Sequence, residues 1–271
     1  MLGDNAQPAD IVEMRHELGL DRPLRQQYTA FLGGLARGDL GESISMHEPV
    51  ARLIADRYPA TIELAGAGLL VAIMIAFPLG IIAGANPGGS ADLGAMGFAI
   101  LGISVPHLCL GPLLMIIFSV DLGWLPLTGR GGLAHLILPA ITLGTAVAAI
   151  VARMLRQSLV QVLSADYMRT ARGKGLGEMD ALIRHGLRNA LTPVITLIGL
   201  QVGALLTGSI ITEMIFSWPG LGRLLITAIG DRDYPLVEGC VLAFALSYVV
   251  VNLITDLVYS AVDPRIRLGP Q

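Results

Sequence analysis

Charge, cysteine, lysine and aromatic residues are all scarce in this chain. Charged residues make up 14% of it, against about 25% in soluble domains, so an ordinary soluble domain is a poor fit. The two cysteines, Cys109 and Cys240, fall in separate apolar runs with no CxxC and no metal-ligand spacing. They read as small buried residues rather than a disulfide framework or a metal site. His107, two residues from Cys109, does not complete a metal site with it. Lys174 is the only lysine, and aromatics amount to 5%. Residues 1–59 open with no basic n-region and no apolar h-region, so no signal-peptide pattern is present. No Walker A motif occurs. The nearest string, Gly173-Lys174-Gly175, lacks the leading glycine and the hydroxyl residue. No HExxH or Ser–His–Asp arrangement appears, which argues against an intramembrane enzyme. Glu63, Glu213 and Asp256 lie near the ends of apolar runs, and His107 alone is a mid-run candidate. A proton-driven carrier would need a longer ionisable series.

What is abundant is apolar. Hydrophobic residues are 54%, glycines number 33, and mean hydropathy is +0.68. They are gathered into long runs, which defines an all-α, polytopic helical membrane protein. Five spans are predicted, at about 60–85, 94–120, 136–155, 190–212 and 239–259. Internal prolines such as Pro78, Pro106 and Pro112 are tolerable where neighbouring helices re-satisfy freed carbonyls. Residues 1–59 are amphipathic, with nine acids against six arginines. Pro139-Ala140-Ile141-Thr142-Leu143 is echoed by Pro193-Val194-Ile195-Thr196-Leu197, each expected to open a span; chance, since proline suits a first helical turn, is favoured over an inherited repeat. Gly199 and Gly203 form a GxxxG on the fourth span, suited to close contact with a helix of this chain or of a partner. Gln201 between them lines a pathway or bonds a neighbouring carbonyl.

The polar interlude 164–193 lies between two such runs and carries Arg169, Arg172, Lys174, Arg184 and Arg188, in a chain of net charge −3. Short basic loops stay cytoplasmic. That places 156–190 inside, 121–135 and 213–238 outside, and the tail 263–271, with Arg265 and Arg267, inside. The loop 86–93 then falls inside although it has no Lys or Arg. Counting back puts residues 1–59 outside and predicts a further span upstream of Met1. Within the interlude, Ser164 is expected to cap a short helix with Asp166 and Tyr167 in its first turn. Lys174-Gly175 should close it, with the acid and the cation each at the favoured end. Gly173 inside that helix costs about 1 kcal/mol relative to alanine. A second helix is expected at about 178–188, with His185 as an interface residue. On residue chemistry alone the pair is a docking element or a basic loop resting on anionic lipid.

The residues DYMRTARGKGL (166–176) and HGLRNALTP (185–193) resemble the cytoplasmic signature loop of binding-protein-dependent ABC importer permeases, in the dipeptide, oligopeptide, nickel and glutathione group. The likeness extends through ELGLDRPL (17–24), GDLGESI (38–44), LGWLP (122–126), FSWPGLGRLLITAI (216–229), RDYP (232–235) and VNLITDLVYSAVDPRIR (251–267). Family members carry one more helix before the region matching Met1, and alanine is usual where Gly173 stands. The acid of the wider importer signature is here Asp166, and the long Gly175-to-Pro193 spacing is typical of the peptide-permease version. The resemblance implies a permease fold that pairs with a second, homologous permease and with an extracytoplasmic solute-binding protein received by 213–238 and 1–59. Two separate subunits would carry ATP and Mg; no cofactor is expected on this chain and no nucleic-acid partner. It also implies a coupling helix whose contacts with the ATPase subunit come from Asp166, Tyr167, Arg169, Thr170, Ala171, Arg172, Lys174 and Gly175. The stretch 142–172 leans toward glutathione-type members, with nickel as the competing solute. An ion-coupled secondary transporter and a non-transport membrane scaffold are the competing classes. Uptake that persists without ATP would mark the first, and the absence of both uptake and an ATPase partner the second.

Overall fold

The computed structural model describes residues 21–262, in which helices dominate and no strand is present among the described residues. Helix α1 spans Leu24–Leu35, α2 Val50–Ala85, α3 Ser90–Ser104 and α4 His107–Leu114, the last continued by a π-helical stretch, Met115–Asp121. Then come α5 Leu133–Leu163, the short α6 Asp166–Gly173 and α7 Glu178–Ala181. A second π stretch, Leu182–Leu187, runs on into α8, Arg188–Ile215. Helices α9 (Leu221–Gly230) and α10 (Tyr234–Val262) complete the described residues. The predicted calls on residues 1–20 and on the tail 263–271 lie outside the described residues.

Four helices, α2, α5, α8 and α10, are each long and apolar enough to cross a membrane. The fifth expected span differs from its prediction. Residues 94–120 are not one helix, because α3 and α4 meet at Val105-Pro106 with a 99° bend. Proline has no N–H to continue the ladder and its ring displaces the carbonyl four residues back. The first span also starts earlier than residue 60. At 36 residues α2 is about 54 Å long, against a hydrocarbon thickness of about 30 Å. Its first turns, with the exposed Arg52, Asp56 and Arg57, project beyond the apolar layer. Pro139 and Pro193 do not open spans. Each sits past the first turn of its helix, and the Ser158 hydroxyl donates to the Ala190 carbonyl at 2.9 Å beside the turn that Pro193 loosens.

The core forms where α2 and α5 run parallel in close contact. Small residues recur every fourth position on α2, at Gly68, Ala72, Ala76, Gly80 and Gly84, all buried. They face Leu143, Val147, Val151, Leu155 and Leu159 of α5. A Cβ on Gly144 would lie 2.5 Å from the Gly68 carbonyl oxygen, and one on Gly80 2.9 Å from the Ala152 carbonyl. In lipid, where burial of apolar surface drives little association, such backbone approach supplies the packing energy. A second, smaller cluster joins Val50, Leu53 and Ile54 to α9 and to Leu236 and Cys240 of α10.

Polar pairs close the bundle at both ends. At the end carrying α6, Arg156 grips Asp92 with two bonds of 2.5 and 2.6 Å, and the Gly88 amide donates to the same carboxylate at 2.8 Å. The loop 86–89 is thereby held beside the end of α5, at the same face as the basic interlude. At the other end the Arg130 Nε donates to Glu63 at 2.9 Å, its guanidinium stands 5.9 Å from the Trp218 ring centroid, and the Gly129 amide bonds the Phe216 carbonyl. The bent α3–α4 pair therefore does traverse the bundle from one face to the other.

Replacing Gly144 by Val should cost about 1–3 kcal/mol of stability, the usual range for overpacking. Gly94→Ala, inside α3 and meeting nothing within 4 Å, should instead stabilise by about 0.5–1 kcal/mol. Thermal melts of the detergent-solubilised chain would separate the two.

Candidate functional site

Helix α6 is short and two-sided. Met168 is fully buried and anchors it, while Asp166, Tyr167, Arg169, Thr170 and Lys174 are exposed and Ala171 is half-buried. The Arg172 side chain, like those of Glu178, Arg184 and His185, lies outside the described residues. Asp166 and Arg169 form an exposed pair at 3.6 Å, one turn apart, of the kind that contributes little to stability. The Thr170 hydroxyl donates to the Asp166 carbonyl at 3.1 Å. Across the interlude, the Asn189 side chain donates to the Tyr167 hydroxyl at 3.1 Å, tying α6 to the start of α8.

Ser164 does not cap α6. Its hydroxyl donates to Gln161 at 2.8 Å and its backbone ends α5. The Ala165 carbonyl accepts the first bonds of α6, from Met168 and Arg169. Only Ser164 and Ala165 separate α5 from α6, so Ser164 stays on the α5 side. The far end is a Schellman turn. Gly175 has φ +88°, the Leu176 amide bonds back to the Ala171 carbonyl and the Lys174 amide to Thr170. Positive φ is costly for any residue with a Cβ, so glycine is required there. Gly173 is different: a Cβ would meet nothing within 4 Å. The second expected helix exists, as α7 and the π stretch, and is continuous with α8.

Gly199 and Gly203 pack inside the chain. A Cβ on Gly199 would overlap Thr255, and one on Gly203 would lie 2.9 Å from the Tyr248 ring; both partners are on α10. The GxxxG therefore makes an α8–α10 contact within this chain.

Three features escaped the sequence reading. Met168 is one; an apolar residue three positions after Ala165, among polar neighbours, is the signal that marks it. The other two lie at the opposite end. Glu213, fully buried, accepts from the Thr61 hydroxyl at 2.7 Å, the Ser209 hydroxyl at 3.2 Å and the Arg223 amide at 3.0 Å. The Thr61 hydroxyl in turn accepts the Leu221 amide at 2.8 Å. One carboxylate and one hydroxyl thus satisfy the first amides of α9, which no side chain of α9 itself caps. Gly220 and Gly222 leave the room this requires. The Trp218 indole donates to the Ala60 carbonyl at 2.8 Å, so the start of the 216–229 motif is sewn onto α2. Asp233 does the same for the N-terminal segment. Its carboxylate accepts from the Ser43 hydroxyl (2.6 Å), the Ser45 amide and hydroxyl (3.0 and 2.9 Å), and the Leu236 amide (3.2 Å) that begins α10. Motifs 38–44 and 232–235, distant in sequence, meet at this side chain.

An all-helical bundle with four helices long and apolar enough to cross a membrane, and an exposed, anchored two-helix element at one end, defines a multi-span membrane protein. Among known families, one described as the binding-protein-dependent transport system inner membrane component matches residues 76–268, and its N-terminal membrane component matches residues 1–65. The chain belongs to this family. The glutathione transport system permease protein GsiC of Pectobacterium atrosepticum is 47% identical over 265 residues, 98% of this chain and 87% of that protein. GsiC of Escherichia coli K12 is 46% identical over 260 residues, 96% and 85% of the respective chains. Two solved structures share the fold. The MetNI methionine ABC transporter in an inward-facing conformation gives a TM-score of 0.69 at 17% identity, covering 80% of this chain and all of that one. An amino acid ABC transporter crystallised with histidines gives 0.61 at 14% identity, covering 78% and 94%.

Two measurements follow. Gly175→Ala should destabilise the α6–α7 turn, whereas Gly173→Ala should stabilise α6 by about 0.5–1 kcal/mol; amide exchange across 166–176 would rise in the first and fall in the second. For Asp233, burial pushes the carboxyl up, but the donors from Ser43, Ser45 and Leu236 outweigh it and hold it below its ordinary 3.8. Its contribution is therefore complete above pH 3.8 and lost as pH falls through the lowered value. Asp233→Asn should reproduce that loss at neutral pH, read as faster tryptic cleavage at the exposed Arg37 than in the parent chain.

Proposed function

We propose that this chain is one of two permease subunits of an ATP-driven importer for small peptides of the glutathione kind. Its pathway would be shared with a second, homologous permease, and ATP with its Mg would be bound and hydrolysed on two partner subunits. The glutathione assignment draws on the relatives' names and on the length of chain they match. The coupling assignment draws on α6, whose polar face stands free while Met168 holds the helix to the bundle.

In this reading the exposed α6 face sits in a cleft of the ATP-binding subunit. Asp166, Arg169 and Lys174 pair with its charges, as does Arg172 by its sequence position. Thr170 and Ala171 allow close approach, and the Gly175 turn redirects the chain toward α8. The face bearing α6 is cytoplasmic, in line with the excess of arginine in the interlude. The opposite face, formed by residues 21–49, 122–132 and 213–233, is extracytoplasmic and receives the loaded binding protein. Closure of the ATPase pair displaces α6, and α5, two residues upstream, carries the displacement into the α2–α5 core.

Ala171→Glu tests the assignment. The variant should insert and co-purify with its sister permease at parental levels yet lose ATP-driven uptake of labelled glutathione, because a charged side chain blocks docking. Parental uptake by the variant would overturn the coupling role of α6. Uptake of dipeptides but not glutathione by the parent complex would overturn the solute.

A further inference from the structure

Three segments of the chain meet at Arg156, about two helical turns before α5 passes into α6. The end of α2 touches it: a Cβ on Gly84 would lie 2.7 Å from the Leu159 Cβ and 3.3 Å from the Arg156 carbonyl oxygen. The turn 86–89 reaches across, with Gly88 at φ +81° donating its amide to Asp92. The start of α3 is held through Asp92 itself, whose two carboxylate oxygens each take one guanidinium nitrogen of Arg156. The Asp92 side chain is only 4% exposed. Elsewhere α3 lies on the bundle through small residues. Ala95 and Ala99 are buried, and a Cβ on Gly102 would only just meet the Thr145 carbonyl oxygen at 3.6 Å and Ala149 at 4.0 Å. Among the described residues no other polar bond joins α3 to α5.

We infer that Asp92 and Arg156 are positioning residues for transport, a role that rests on the coupling assignment of α6. They clamp the first turn of α3 to α5, so that a displacement delivered to α6 moves both helices together instead of sliding one past the other. An exposed pair such as Asp166–Arg169 gives way readily to water. Parting Asp92 from Arg156 would instead leave a carboxylate out of water with only the Gly88 amide for a partner, which is costly. Compared with apolar packing of the same volume, a buried ion pair adds little net stability. What it adds is direction, because a guanidinium fork on two carboxylate oxygens fixes orientation as well as distance. Small-residue contacts alone supply no such restraint along the helix axis.

The test uses the assembled importer in proteoliposomes, with binding protein and ATP on opposite sides. Uptake per ATP hydrolysed is read for whichever labelled probe, glutathione or a dipeptide, the parent complex takes up. Asp92→Asn with Arg156→Gln removes both charges at once, so neither is left buried alone. This variant should co-purify with the second permease and the ATP-binding subunits at parental yield. Its uptake per ATP should fall about tenfold, within the ordinary range of a coupling free energy. Arg156→Lys, which keeps the charge but not the fork, should fall by a smaller factor. A purely structural pair would lower the yield of complex and leave the ratio of what assembles unchanged. A ratio at or above parental in the double variant therefore overturns the inference. Should that variant not assemble, a parental ratio in Arg156→Lys overturns it alone. Ala171→Glu, run alongside, separates the two roles. Its loss of uptake beside a parental ratio in the double variant removes the clamp only, whereas its parental uptake removes the coupling role of α6 and the clamp with it.

Discussion

Everything in this bundle depends on how closely α2 and α5 approach. Lipid tails are as apolar as leucine, so helices in a membrane hold together through contact area and backbone proximity rather than expulsion of water. Gly68, Gly80 and Gly84 on one helix and Gly144 on the other remove the side chains that would keep the backbones apart. The result is a two-helix rod, with small residues on α2 receiving the branched side chains of α5. The other spans are laid against this rod: α3 through Ala95 and Ala99, α8 through Val194, Leu205 and Leu206.

The rod also joins the two faces of the protein. At one end α5 passes through two residues into α6, and Arg156 on its last turns holds Asp92 at the start of α3. At the other end Ala60 and Thr61 of α2 receive Trp218 and the Glu213 network that caps α9. A displacement delivered to α6 therefore meets a stiff element whose far end is bonded to the opposite surface. No long flexible connection intervenes. Hydrogen bonds shielded from water at both ends are stronger than they would be in solvent, which suits parts that must move as one body.

How much of this could be read from the sequence depended on the kind of physics involved. Spans came from hydropathy, which is additive along the chain, so four appear as long apolar helices and their positions differ from prediction mainly at the ends. Helix α2 overran its predicted start because length beyond the apolar layer has no hydropathic signature. The Gly175 turn was legible, since positive φ and glycine are coupled locally. The bend at Val105-Pro106 was not, because a proline in an apolar run reads equally as a tolerated kink or a full break. Nor were the roles of Glu213 and Asp233. Each is defined by donors from other segments, and spacing in one dimension does not reveal which residues meet. Gly199 and Gly203 show the same limit: the motif specified close contact but not that Thr255 and Tyr248 of this chain supply it.

The bond between Ser43 and Asp233 spans 190 positions of sequence. A ribosome adds roughly 5–20 residues per second, so the acceptor for Ser43 emerges roughly 10–40 s after the donor. Through that interval α2, α3, α4, α5 and α8 can be made and inserted while the segment around Ser43 remains untied. It is fastened only when the corner before the last span has been synthesised and α10 has begun. A chain stalled or clipped before that corner thus leaves the Ser43 hydroxyl without its acceptor, and only a finished one holds the N-terminal segment to the start of the last span.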